Sequence, residues 1–258
     1  MSRAALHAEW TKLRTVPGTI WLLIAVIALT AALGVVADAA TKCPSSGCGL
    51  DPAKVSFTGI YLSQVVVAIL AALAISGEYS NGMIRTTFTA MPRRTTVLAA
   101  KALILTGLVL AAGTVAVACS VLAGRLILPG HGFTAAHGYP PLSLSDGPVL
   151  RSAAGTVLYL ALIALLSLGV ATAVRDSAAA IGVVLGLLYL IPIIATVAGP
   201  HWQRHLQQIA PMTAGLAIQA TTGLRNLPIS PWAGLGVLAA WAAAALLAGG
   251  LLLRLRDA

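Results

Sequence analysis

Residues 76–101 read SGEYSNGMIRTTFTAMPRRTTVLAAK, the longest charged interruption between two apolar runs of the chain. Each flanking run is long enough to cross a bilayer, so the stretch itself must sit in water at one membrane face, where charge costs little. It is read as a contact surface. The rest of the chain decides which face it occupies and what it touches.

Working outward, 59% of the 258 residues are hydrophobic and 9% are charged, with a mean hydropathy of +0.93. That composition excludes a soluble globular domain. Six apolar runs, at about 19–37, 58–77, 102–124, 152–174, 178–198 and 232–253, each approach the ~20 residues a bilayer requires. They predict an all-α integral membrane protein of six transmembrane helices, a single domain over residues 1–258. The first run could instead be a cleaved signal peptide with Ala37 and Ala39 before the cut, but its core exceeds the about 7–15 residues of such a segment.

Orientation follows from Lys and Arg. With the amino terminus inside, the cytoplasmic segments hold ten of the 16 basic residues, and six (Lys42, Lys54, Arg125, Arg151, Arg204 and Arg225) fall outside. The positive-inside rule therefore puts both termini and residues 76–101 in the cytoplasm. The net charge of +9 is explained by this topology. It forms no aromatic-interleaved patch, so nucleic acid is not an expected partner. Ahead of the first run, Leu6, Trp10 and Leu13 recur at i, i+4 and i+7 among Arg3, His7, Lys12 and Arg14. They predict an interfacial amphipathic helix over 2–16 rather than a merely solvated basic tail.

Several chemistries lack their residues. Within the bounds above the spans hold no Asp, Glu, Lys, Arg or His, although a transporter driven by ions usually places such groups near the midplane. There is no GxxxxGK[ST] to cradle ATP, and no GxSxG or HExxH. His201 and His205 share a helix face at i, i+4, but without a Glu between them and beside Arg204 they read as solvated, so no metal is expected. The chain is expected to hold no cofactor and to be no enzyme.

Smaller signals fill in the picture. Cys43 and Cys48 flank PSSG in an outside loop and suit either a short disulfide or free thiols, whereas Cys119 lies in an apolar run. Gly182 and Gly186 form GxxxG, serving helix packing within the chain or a dimer seam, and Ala240, Ala244 and Ala248 line a second small-residue stripe. Pro192 is expected to kink the fifth span. Tyr61, Gln64, Thr106, Thr114, Tyr159, Ser167, Thr172 and Tyr189 are the polar side chains inside the spans singled out as able to meet a cargo, or equally to bond neighbouring helices. Residues 199–231 contain HLQQIAPMTAGLAIQA, too short to cross, which reads as an interfacial or re-entrant segment or an ordinary ordered loop.

Within the opening stretch, Ser80 and Asn81 are N-cap types, and Ile84, Thr87, Phe88 and Met91 recur at i, i+3, i+4 and i+7. A short amphipathic helix over 81–91 follows, ended by Pro92, with Arg93 and Arg94 at the membrane surface. Together with the amino-terminal AEWTKLRTVPGTIWLL, this stretch resembles type-2 ATP-binding-cassette (ABC) exporter permeases, especially the compact alanine-rich kind in actinobacteria.

The resemblance implies a six-span half-transporter in a bacterial cell membrane. Its partners would be a second permease subunit, as homo- or heterodimer, and two copies of a separate ATPase, which alone holds ATP and Mg²⁺. It implies an amino-terminal elbow helix and a cytoplasmic coupling helix that docks on the ATPase, carried over by position to Glu78, Tyr79, Gly82, Arg85, Thr86, Pro92, Arg93 and Arg94. Ile84, Phe88 and Met91 would be its buried stripe. First and fifth spans often meet across such dimers, which would employ Gly182 and Gly186. The outside loop at 125–151 is long for this kind. A membrane anchor or regulatory subunit that moves no cargo, and a secondary transporter, are the alternatives.

Overall fold

The computed structural model describes residues 10–11, 15–43, 48–80, 94–197 and 199–255. The expected coupling helix at 81–91, and most of the expected elbow helix at 2–16, lie outside the described residues. Among the described residues all regular structure is helical, and six helices are long and apolar enough to cross a membrane.

The first, α1, is Pro17–Ala40, with proline in its first turn, where a missing N–H costs nothing. A short outer helix, α2, covers Pro52–Ser56 and precedes α3, Ile60–Ser80. Then come α4, Arg94–Ile127, and α5, Gly147–Val174. The fifth crossing is α6, Ser177–Leu185, continued through a π-helical turn at Gly186–Leu190 into α7, Ile191–Val197. Two short helices, α8 (Pro200–Ile209) and α9 (Pro211–Leu216), precede the last crossing, α10, Pro231–Leu255.

The crossings agree with the sequence reading, but the helices run past its charge-free bounds. α1 takes in Asp38, which is fully buried and accepts from Ser56 Oγ at 2.9 Å. α4 takes in the buried Lys101 and also Arg125, and α5 takes in Arg151. Within the bounds read from sequence the spans stay free of ionisable groups, and the charges enter only where the helices extend beyond them. Hydropathy stops at a charge, whereas backbone hydrogen bonding carries the helix on into the headgroup region.

α5 is the hub, packing against α3, α4, α6 and α10. Tyr159, Leu160, Ile163, Leu166 and Leu168 on α5 are among the largest fully buried side chains. Small residues set the closest approach: a Cβ on Gly169 would lie 2.5 Å from the carbonyl carbon of Ala245, and one on Gly249 would lie 2.7 Å from Gly169 O. Without a hydrophobic drive between helices in lipid, such backbone proximity is what holds them. The seam of α10 is therefore Ala245 and Gly249. The stripe read from sequence, Ala240, Ala244 and Ala248, is exposed.

Hydroxyls stitch α1 to its neighbours. Thr30 Oγ1 and Ser63 Oγ lie 2.6 Å apart, and Ser63 Oγ also reaches Val26 O at 3.3 Å. At this crossing a Cβ on Gly59 would lie 2.6 Å from Thr30 Cα and 2.8 Å from its carbonyl carbon. Gly59→Val is expected to push α1 and α3 apart and cost about 1–3 kcal/mol through overpacking, read as a lower unfolding midpoint in detergent.

The connections sort by end. Cys43 N donates to His131 O at 2.8 Å, tying the first connection to the third. Arg151 Nη2 and Ser152 Oγ donate to Ala220 O and Gln219 O at 2.5 and 2.9 Å, tying the head of α5 to the fifth connection. Three connections thus cover one end of the bundle, as an alternating topology requires. The fourth connection is tight: Arg175 closes α5 in the left-handed region (φ 65°), and Asp176 caps α6 by accepting from Ala179 N at 2.7 Å. The long third connection folds as a cover, with Leu128, Phe133, Tyr139 and Leu142 buried and the Phe133 and Tyr139 rings edge to face at 5.1 Å. Cys43 and Cys48 beneath it are joined in a disulfide, Cα atoms 5.8 Å apart.

Candidate functional site: a buried polar cluster between the helices

Of the coupling-loop residues, Gly82, Ile84, Arg85, Thr86, Phe88, Met91, Pro92 and Arg93 lie outside the described residues. Glu78 and Tyr79 belong to the last turn of α3, and Arg94 opens α4. The charged stretch therefore connects two helices that reach its two ends, at the end of the bundle opposite the cover.

Among the described residues, a Cβ added to Gly182 or Gly186 would meet nothing within 4 Å. The windows spanning α1 and the fifth crossing are only 17% and 22% buried, against 61% for α5.

The polar residues inside the spans divide into two groups. Thr114, Ser167 and Thr172 return a hydrogen bond to the carbonyl four residues earlier, at 2.7, 2.8 and 2.7 Å, which satisfies the hydroxyl locally. Thr106 lines an apolar groove of about 520 Å³ with Leu98, Ala102, Leu103, Leu165 and Leu246.

Tyr61, Gln64, Tyr159 and Tyr189 are brought together. The fully buried Gln64 on α3 accepts from Tyr159 Oη on α5 and donates through Nε2 to Tyr189 Oη at 2.8 Å. Tyr189 Oη in turn donates to Tyr61 O, the backbone carbonyl on α3. The π-helical turn places Tyr189 here. Pro192 offers no N–H to the carbonyl four residues back, and the register widens just ahead of it instead of simply kinking.

A fifth member, which the pattern of apolar runs did not disclose, comes from the segment after the fifth crossing. Gln64 Nε2 also lies 3.4 Å from Met212 Sδ on α9. Behind Met212, a Cβ on Gly215 would lie 2.7 Å from the Tyr159 ring. Met212, Ala214, Leu216, Ala217, Ile218, Gln219 and Ala220 are all buried. Residues 211–220 thus form a buried plug lodged over the polar cluster. Only its small-residue and apolar composition hinted at this burial.

The plug is latched from the side by Asp51. Its carboxylate caps α2 through Ala53 N at 3.1 Å and accepts from Thr221 N, Thr221 Oγ1 and Thr222 N at 2.6, 2.6 and 3.1 Å.

The cluster can bind and orient but offers no nucleophile paired with a base. The side chains of Gln64, Tyr159 and Tyr189 are each bonded to another member, so removing one strands another. Gln64→Leu is expected to lower stability by about 0.6–1.7 kcal/mol, the range for interhelical hydrogen bonds in membranes. Adding Tyr159→Phe should recover part of that loss, because an unpaired buried hydroxyl is then gone. Unfolding midpoints of the two single variants and the double variant check this.

Residues 5–194 match the family described as ABC-2 family transporter protein. The match runs from the amino-terminal segment through the charged stretch to α7. No curated protein matches the chain.

Proposed function

This chain belongs to the ABC-2 family of transporter proteins, and we propose that it is the membrane-spanning permease of an exporter driven by ATP hydrolysed on a separate ATPase chain. The family match carries the reading, and it includes residues 81–91, the stretch read from sequence as the docking helix. Two ATPase copies and a second permease subunit complete the assembly in a bacterial cell membrane. Glu78, Tyr79, Gly82, Ile84, Arg85, Thr86, Phe88, Met91, Pro92, Arg93 and Arg94 form the ATPase-coupling loop. Gly182 and Gly186, open on their own chain, suit the seam between permeases.

In this reading the resting state is closed outward. The plug at 211–220 and the cover at 128–146 shut the outer end, and ATP binding rocks α3 and α4 through the coupling loop. The cargo is hydrophobic or amphipathic. The apolar groove between α4, α5 and α10, with Thr106 as its one hydroxyl, supports that class.

Co-purification tests the assembly. A tagged chain produced together with its ABC ATPase should recover that ATPase in equal amount. Recovery of the chain alone, with no ATP hydrolysis after transfer to lipid discs, would contradict the proposal.

A further inference from the structure

Helix α8 turns its apolar stripe away from the protein. Trp202, Leu206 and Ile209 recur at i, i+4 and i+7, and Trp202 and Ile209 are 64% and 58% exposed. Arg204, also exposed, lies on the opposite face. The chain holds α8 by other contacts. Gln208 Nε2 donates to Pro228 O at 2.7 Å, Thr213 Oγ1 donates to Gln207 O at 2.9 Å, and Trp241 Nε1 donates to Ile209 O at 2.9 Å. A helix packed on a soluble core would show the reverse arrangement.

Its surroundings identify what covers the stripe. α8 begins three residues after the fifth crossing ends at Val197, so covalent continuity places it at the membrane surface. Trp232, 58% exposed, opens the sixth crossing four residues beyond Pro228. Two exposed indoles at one end of the bundle form the aromatic belt found where a chain meets the headgroup layer. An uncovered apolar stripe backed by an exposed cation is the pattern of a helix lying in the interface plane.

We propose that α8 is seated in the outer leaflet, its Trp202, Leu206 and Ile209 stripe inserted at the boundary of headgroups and acyl chains, and that this seat anchors the buried plug. Only Ala210 separates α8 from α9, and Thr213 ties the two helices directly. Any lift of α8 pulls on Met212 and so on the Gln64 cluster. The seat does not depend on what the chain transports.

The test uses the full chain in phospholipid vesicles. Nitroxides are attached singly at Trp202→Cys, Arg204→Cys and Ile209→Cys in a Cys119→Ala background. Labels at 202 and 209 should collide with oxygen and be shielded from a water-soluble nickel chelate, at a depth of about 5–10 Å below the phosphates. The label at 204 should show the opposite. Equal chelate access at all three positions would overturn the seat. So would labels at 202 and 209 shielded from both reagents and broadened by a neighbouring spin, which would mean that a second copy covers the stripe.

For the anchor, Met212→Cys, buried in the parent at 6% exposure, should stay unreactive to a water-soluble maleimide. It should become reactive when Trp202→Glu is added and stay protected with Trp202→Phe. Protection in the Trp202→Glu variant would overturn the anchoring role, and reactivity with Trp202→Phe would do so too.

Discussion

The double variant Arg85→Glu, Phe88→Ala is expected to abolish export and to lose the ATPase on purification while still inserting in the membrane. Phe88 belongs to the apolar stripe Ile84, Phe88, Met91 of the helix expected from sequence over 81–91, and Arg85 to its expected polar face. Removing a buried aromatic anchor at an interface costs about 2 kcal/mol or more. Reversing a charge across a complementary surface adds like-charge repulsion and slows encounter. The expected loss of affinity is therefore at least thirtyfold on the scale of about 1.4 kcal/mol per factor of ten. Because these residues lie in a connection between spans, the unfolding midpoint of the chain itself should not move. Retained export with normal ATPase recovery would remove the coupling assignment.

Asp51→Ala should give the largest loss of stability at the outer end. One carboxylate, 9% exposed, receives four hydrogen bonds that join the first connection to the end of the plug. Bonds to a charged acceptor contribute about 1.5–3 kcal/mol each, and an amide left unpaired costs about 1–3 kcal/mol. Sharing among four donors and relief by water reduce the sum, so a loss of about 3–5 kcal/mol is expected. It should appear as a lower unfolding midpoint and as new protease cleavage near Thr221 and Thr222. Thr221→Val removes only one of the four bonds and should cost about 1 kcal/mol. Equal effects of the two substitutions would show that the latch is not centred on the carboxylate.

The six crossings were legible in the sequence because a stretch of about 20 apolar residues has few other uses. Their alternation was legible with them, and the three connections gathered at one end agree with it, whereas the orientation rests on the count of basic residues alone. The burial of residues 210–220 was partly legible, since HLQQIAPMTAGLAIQA is mildly apolar and too short to span.

Other features were hidden for physical reasons. Helices that are apolar all round have no preferred face, so periodicity could not distinguish the exposed Ala240, Ala244 and Ala248 from the packed Ala245 and Gly249. The choice depends on where Gly169 lies on the partner helix. Asp38 looked like the end of a span because it is charged. Its burial depends on Ser56, which a helix boundary does not disclose. The cluster of Gln64, Tyr159, Tyr189 and Met212 draws on four segments and is visible only once α5 stands at the centre. The eight polar residues read from sequence included three of its side chains, without a sign of which would meet.

In the proposed function, energy enters this chain from a partner ATPase through residues 81–93. Inside-out vesicles containing this chain and its ATPase test it most directly, with uptake of a fluorescent amphipathic probe as the readout. Uptake should require ATP and both chains, persist with a proton ionophore present, and vanish in the Arg85→Glu, Phe88→Ala variant. Uptake that survives without the ATPase and collapses when the ionophore is added would contradict the account and identify a secondary transporter.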